Sequence, residues 1–129
     1  MKVLTLEQMN KLKELGVDVN PKGMSLMYTS DSSDNYYLKY GESTCEDDIK
    51  AFTLQDIIEL LPKQIINCNE IYLLKIIPIS NEVSYVQFNA QICADITKYP
   101  LRVKKSDSLF NSLFEILLWV IENGYLKTK

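Results

Sequence analysis

At 129 residues, 47% hydrophobic and 24% charged, the chain is long enough for one core without staples and too apolar to be disordered or fibrous. A formal charge of −3 gives no general attraction to nucleic acid or to an anionic membrane, and neither is expected as a partner. The absence of histidine removes imidazole triads, imidazole metal ligands and imidazole proton switches.

The N-terminal MKVLTLEQMNKLKEL carries charge at every turn and lacks the apolar heart of a signal peptide, so the expected compartment is the cytoplasm. Within it a first helix over residues 5–15 is marked by Thr5 as N-cap and Gln8 three residues on, a capping box, with Leu4 and Met9 at the staple positions. Leu6, Met9, Leu12 and Leu15 form its apolar stripe, and Gly16 ends it with a left-handed cap. Asn20-Pro21 fixes a connector. Two strand candidates follow, 24–29 and 36–40, around the turn-forming cluster Ser30-Asp31-Ser32-Ser33-Asp34-Asn35. That cluster has oxygen ligands of the calcium-binding kind without the loop spacing or the closing glutamate, so it reads as a plain turn. Tyr28, Tyr36, Tyr37 and Tyr40 concentrate in this hairpin; tyrosine suits strand packing and also interfaces that are wet on one side.

Residues 41–50 read as an acidic loop, with Glu42, Glu46, Asp47 and Asp48 solvated ahead of a helix N-terminus or available to a cation or a basic partner. The second helix, 53–61, repeats the capping grammar with Thr53 and Asp56, between the staple residues Phe52 and Ile57, and Pro62 limits it, although a further turn to Ile65 is open. Ile71 to Ile77 is almost continuously apolar, as in a strand covered on both faces. Ser80-Asn81-Glu82 is a hairpin loop. From Val86 to Thr97 the alternation places Val86, Phe88, Ala90, Ile92, Ala94 and Ile96 inward and an uncharged amide face, Gln87, Asn89 and Gln91, outward, where it suits a ligand or partner. Leu101 and Val103 form a last strand, whose basic neighbours Lys98, Arg102, Lys104 and Lys105 suit either phosphate contact or protection of a sheet edge. The third helix, 107–122, opens at Ser106-Asp107 and stops at Asn123-Gly124 in a Schellman cap.

This last helix is unusual in its polarity. Ser108, Asn111, Ser112, Glu115 and Glu122 fall in an arc of about 100°, and apolar side chains fill the opposite ~200°. Trp119 lands inside the polar arc, so a covering surface is expected. A second copy of the chain or another protein is one source, with Trp119, Phe110, Phe114 and Leu118 as the interface; the loop 41–50 or Tyr125 of the same chain is the other.

The expected fold is therefore a single α+β domain spanning residues 1–129, a two-layer sandwich of three helices on a mainly antiparallel sheet, ordered α-β-β-α-β-β-β-α. The expected core includes Leu12, Leu54, Ile58, Leu74, Ile76, Val86, Phe88, Ile92, Leu113, Leu117 and Val120. Scattered glycines exclude a phosphate loop, and Cys45, Cys68 and Cys93 match no metal motif and read as free thiols. No catalytic residue, metal or cofactor is assigned. The segments CEDDIKAFTLQDIIELLPKQI and SLFNSLFEILLWVIENGYL resemble a family of small phage and prophage proteins of gut bacteria that shares an FTLxDLLxLLP helix opener and an LxxxxxWxIENGY ending. The resemblance implies a mobile-element accessory protein and carries no activity or site residue. The expected function is a non-enzymatic protein-interaction module, self-associating as a dimer; the alternative is a small-molecule-binding domain with a pocket between the sheet and the last helix.

Overall fold

The computed structural model describes residues 2–30, 35–87 and 101–126. It is an α+β fold with three α-helices and two antiparallel sheets among those residues. The described residues fall into two compact units, one running up to Asp56 and the other from Ile57 on.

In the first unit, α1 (Leu6–Glu14) begins with the capping box complete: the Gln8 amide donates to the Thr5 hydroxyl at 3.1 Å and the Thr5 amide to the Gln8 carbonyl oxygen at 2.9 Å. Two of its orphan donors are satisfied in this way. It ends in a Schellman motif on Gly16, with φ of 91°, where the Val17 amide reaches back to the Leu12 carbonyl at 3.0 Å. Met9 and Leu12 are its buried residues. Strands β1 (Ser25–Ser30) and β2 (Tyr36–Gly41) pair antiparallel without a bulge, from Ser25 opposite Gly41 to Ser30 opposite Tyr36. A two-residue strand, β3 (Ile49–Lys50), pairs with the other side of β1, so the sheet order is β2-β1-β3. This strand lies in the stretch expected to be a loop; its only apolar residue is Ile49, too little for a period-two pattern to show. Along β1, Ser25, Met27 and Thr29 are buried and alternate with half-buried neighbours. The N-terminal strand segment is tied in by the Leu4 amide bond to the Phe52 carbonyl, 2.9 Å, and by the Tyr28 hydroxyl donating to the Leu4 carbonyl, 2.7 Å.

Helix α2 (Leu54–Leu60) opens with a second reciprocal cap between Thr53 and Asp56, and Lys50 Nζ stands 3.6 Å from the Asp56 carboxylate. The boundary between the units falls inside this helix.

The second unit is a four-stranded meander with β4 (Gln64–Asn67), β5 (Glu70–Ile77), β6 (Glu82–Gln87) and β7 (Arg102–Lys105) side by side in that order. Helix α3 (Leu109–Glu122) packs on β6 and β7. Strand β4 begins where a further turn of α2, up to Ile65, was open beyond the expected end near residue 61. Pro62 breaks the helix, and the β-branched pair Ile65-Ile66 continues into a hairpin opposite Tyr72 and Ile71. The two-residue loop of that hairpin holds Cys68 at φ 53° and Asn69 at φ 66°, both left-handed as a type I′ turn demands. Cys68→Gly is expected to raise stability by about 0.5–1 kcal/mol, because removing the left-handed penalty on a side-chain-bearing residue outweighs the extra freedom of glycine when unfolded; a lower urea midpoint contradicts it.

Strand β5 corrects the expectation of a strand covered on both faces: none of its residues is buried. The inward register also differs. Val83 and Tyr85 are buried towards α3, which places Val86 on the opposite side, half-buried. Leu54, Ile58, Leu74 and Ile76 are likewise half-buried, and on α2 the buried residue is Ile57, with Leu61 just beyond the helix. Leu12, Leu113, Leu117 and Val120 are buried as expected, whereas Phe88 and Ile92 lie outside the described residues. Helix α3 starts two residues later than expected, with Ser108 as N-cap accepting the Asn111 amide at 3.1 Å. It ends in the expected Schellman motif at Gly124, φ 76°, with the Tyr125 amide on the Val120 carbonyl at 3.0 Å.

Candidate functional site

Each unit leaves apolar side chains uncovered. In the first unit the uncovered element is β2, where Tyr36, Tyr37, Leu38 and Tyr40 are 39%, 52%, 44% and 64% exposed. These are aromatic and aliphatic residues that a sheet normally turns inward. The strand stands at the edge of its sheet, with β1 on one side and no neighbour on the other among the described residues.

Which backbone groups point into that open edge follows from one hydrogen bond. The Leu26 carbonyl accepts the Ala51 amide at 3.0 Å, so Leu26 turns its polar groups away from β2. In an antiparallel ladder, adjacent pairs alternate between bonded and unbonded. Leu26 lies opposite Tyr40, and that pair is therefore of the unbonded kind, as are Tyr28 with Leu38 and Ser30 with Tyr36. Consequently Tyr36, Leu38 and Tyr40 direct their amides and carbonyls outward. Their side chains share one face of the sheet, while Tyr37 and Lys39 lie on the other and bond to β1.

Natural sheets blunt such edges with charge, proline, bulges or shortness. Here β3 is two residues long, and β7 has three basic residues in four, Arg102, Lys104 and Lys105, which makes it a charged edge. Lys98 and Tyr99 lie outside the described residues. On β2 the single charge, Lys39, sits at a position whose backbone faces inward. The outward positions Tyr36, Leu38 and Tyr40 carry neither charge nor proline, and Lys39 is the one protecting charge on the strand.

In the second unit, Ile66, Ile71, Leu73 and Val103 are exposed. Pairing of Ile66 with Ile71, Leu73 with Val86 and Val103 with Ser84 puts them on the sheet face opposite Val83 and Tyr85. The amide face expected at Gln87, Asn89 and Gln91 is described only at Gln87, whose Nε2 donates to the Glu70 carboxylate at 2.7 Å; Asn89 and Gln91 lie outside the described residues.

The expected interface on α3 takes a different form. Phe110 is buried, and Phe114, Leu118 and Trp119 are half-buried. The Trp119 ring lies 6.1 Å from the Tyr85 ring and 5.4 Å from that of Tyr125, tilted against both. Tyr125 is brought there by the Schellman turn at Gly124. The chain thus supplies cover for the indole from its own residues, and wetness of the ring is no longer a reason to place a partner on this helix. The polar arc also narrows: Ser112 is buried and its hydroxyl donates to the Asn81 carbonyl at 2.6 Å, while Asn111, Glu115 and Glu122 stay exposed.

The acidic loop divides in the same way. Glu42, Glu46 and Asp47 are exposed, but Asp48 is buried. Its Oδ2 accepts from the Ser43 hydroxyl at 2.9 Å and from the Thr44 and Cys45 amides at 3.2 and 3.3 Å. Burial pushes this carboxyl up, yet hydrogen bonds from Thr29, Ser43, Cys45 and Thr44 outweigh it and hold it below its ordinary value. Asp48 is a tie for the loop, with its acceptor capacity turned to the protein. Asp31 and Asp34 lie outside the described residues, and among the described residues no group of three or more acidic or cysteine side chains is placed to hold a metal ion. Cys45 and Cys68 are free and exposed; Cys93 lies outside the described residues. A surface concavity of about 230 Å³ opens beside the end of α1, lined by Lys13, Gly16, Val17, Asp18, Val19 and Asn20. It is smaller than the roughly 300–1,000 Å³ of ordinary small-molecule sites.

Comparison with protein-family models, with curated proteins and with solved structures finds no match to this chain. Among the described residues no helix is long and apolar enough to cross a membrane.

Proposed function

We infer that the chain is a non-enzymatic protein-interaction module of the cytoplasm whose docking element is the open edge of β2. The observation that supports this most is the conjunction on one strand of outward amides that face no strand among the described residues with four exposed apolar or aromatic side chains. An extended segment added to such an edge gains main-chain hydrogen bonds for affinity and side-chain contacts for selectivity. Tyrosine serves this role well, because a large rigid ring contributes contact area at little cost in conformational entropy while its hydroxyl stays in water. The exposed thiols Cys45 and Cys68 fit a reducing compartment.

Site-specific photo-crosslinking in cells that express the chain tests the reading. A benzophenone amino acid at Tyr37 or Tyr40 is expected to give a discrete adduct with another polypeptide, whereas the same group at the exposed Lys11 on α1 gives none. Absence of adducts from β2, or identical adducts from both places, overturns it.

A further inference from the structure

We propose that the occupant of the β2 edge is β2 of a second copy, paired antiparallel about a two-fold axis through Leu38 to form one continuous six-stranded sheet. The proposal rests on the reading of β2 as a docking edge and names its partner.

The register of β2 favours this pairing. A two-fold interface requires that when residue i meets residue j, j also meets i. The outward-bonding residues are Tyr36, Leu38 and Tyr40, evenly spaced around Leu38. With the axis at Leu38, the Leu38 residues of the two copies face each other and exchange both amide-to-carbonyl hydrogen bonds. Tyr36 of each copy then meets Tyr40 of the other, again as a bonded pair. All three outward positions of each copy are satisfied at once, which a shift by two residues in either direction does not achieve.

The side chains agree with this register on both faces. On one face, Leu38 abuts Leu38, flanked by two tyrosine–tyrosine pairs; aromatic cross-strand pairs are among the favourable ones. On the other face, Tyr37 of each copy stands opposite Lys39 of the second, in an unbonded pair where the side chains approach most closely. An ammonium over a tyrosine face is attractive, so the one charge on the strand meets a ring and not its own like. Within the paired residues 36–40 no charged residue is placed opposite a like charge. An edge whose one protecting charge, Lys39, meets a tyrosine of the second copy, and whose outward positions are symmetric about their own centre, is suited to its own copy. It also ceases to be an edge once paired, which limits assembly at two chains.

The test uses the purified full-length protein. Sedimentation across a concentration series is expected to show the mass of two chains at high concentration and of one at low. In parallel, amide hydrogen exchange is expected to slow at Tyr36, Leu38 and Tyr40 as concentration rises, while Tyr37 and Lys39, already bonded to β1, do not change. Leu38→Lys places two ammonium groups on the axis and should weaken association about tenfold or more; Leu38→Glu does the same with carboxylates, and an equimolar mixture of the two variants should associate again. Restoration in the mixture also shows that both variants are folded. A protein that stays monomeric at every concentration overturns the proposal, and so does a dimer in which the three amides exchange at monomer rates. If it fails while the photo-crosslinked adduct has the mass of a different protein, the docking edge stands and the second copy falls.

Discussion

Leu117→Ala should destabilise the protein by about 2–5 kcal/mol, one of the two largest single-site effects expected. Leu117 lies on α3 without exposure to solvent, in a row of buried side chains with Leu113, Ile116 and Val120, above the buried Val83 and Tyr85 of β6. Truncation removes apolar contacts and leaves a cavity between two rigid layers that close only partly over it. Urea denaturation reads the effect as a lowered midpoint with an unchanged slope. Glu115→Ala, on the exposed side of the same helix, is the control and should stay within about 0.5 kcal/mol. A wild-type midpoint for Leu117→Ala would mean that this face of α3 is not the packed one.

The second large effect belongs to Asp48. Asp48→Ala leaves the Ser43 and Thr29 hydroxyls and the Thr44 and Cys45 amides without their shared acceptor, and should cost about 2–3 kcal/mol at neutral pH. The pH dependence gives the signature. Because the folded carboxyl titrates below its ordinary value, its contribution is complete above the unfolded pKa of about 3.9 and is lost as pH falls through the depressed folded value. The stability gap between wild type and Asp48→Ala should therefore be constant from neutral pH down to about pH 5 and narrow below pH 4. A gap that does not depend on pH would show that the carboxylate's charge plays no part in the tie.

Much of the fold was legible in the sequence where the signal is local. Thr5 with Gln8, Thr53 with Asp56, and the glycines at 16 and 124 mark helix ends through hydrogen bonds that close within a few residues, and each is found in place. What depends on pairing partners far along the chain was less visible. Ile49-Lys50 is too short to show a period, so β3 was hidden, and with it the fact that β1 is central and β2 is the edge. The tyrosines of the hairpin were legible as a group, but their exposure follows from edge position and not from composition. The alternation expected over residues 86–97 reaches β6 only at Val86 and Gln87, with the rest outside the described residues, and Val86 was read as inward because Val83 and Tyr85 precede the apolar run that defined the pattern. Helical geometry puts Trp119 in the polar arc, whereas the structure has it half-buried beside Tyr85 and Tyr125. Helical periodicity does not show this cover, because Tyr125 reaches the ring only through the reversal of the chain at Gly124.

The bond between Leu4 and Phe52 has a consequence for how the chain is made. Helix α1 leaves the ribosome ahead of the segment it docks on, but nine residues are too few for an isolated helix to persist in water. Its docking partners, Phe52 for the Leu4 amide and Thr53 for the Val3 bridge, emerge only after both strands of the first hairpin. The hairpin closes over neighbouring residues and can form as it appears, whereas the N-terminal helix has to wait for a segment translated long after it. A helix made before its partners is thus fixed only with them, and its two capping motifs take effect at that moment.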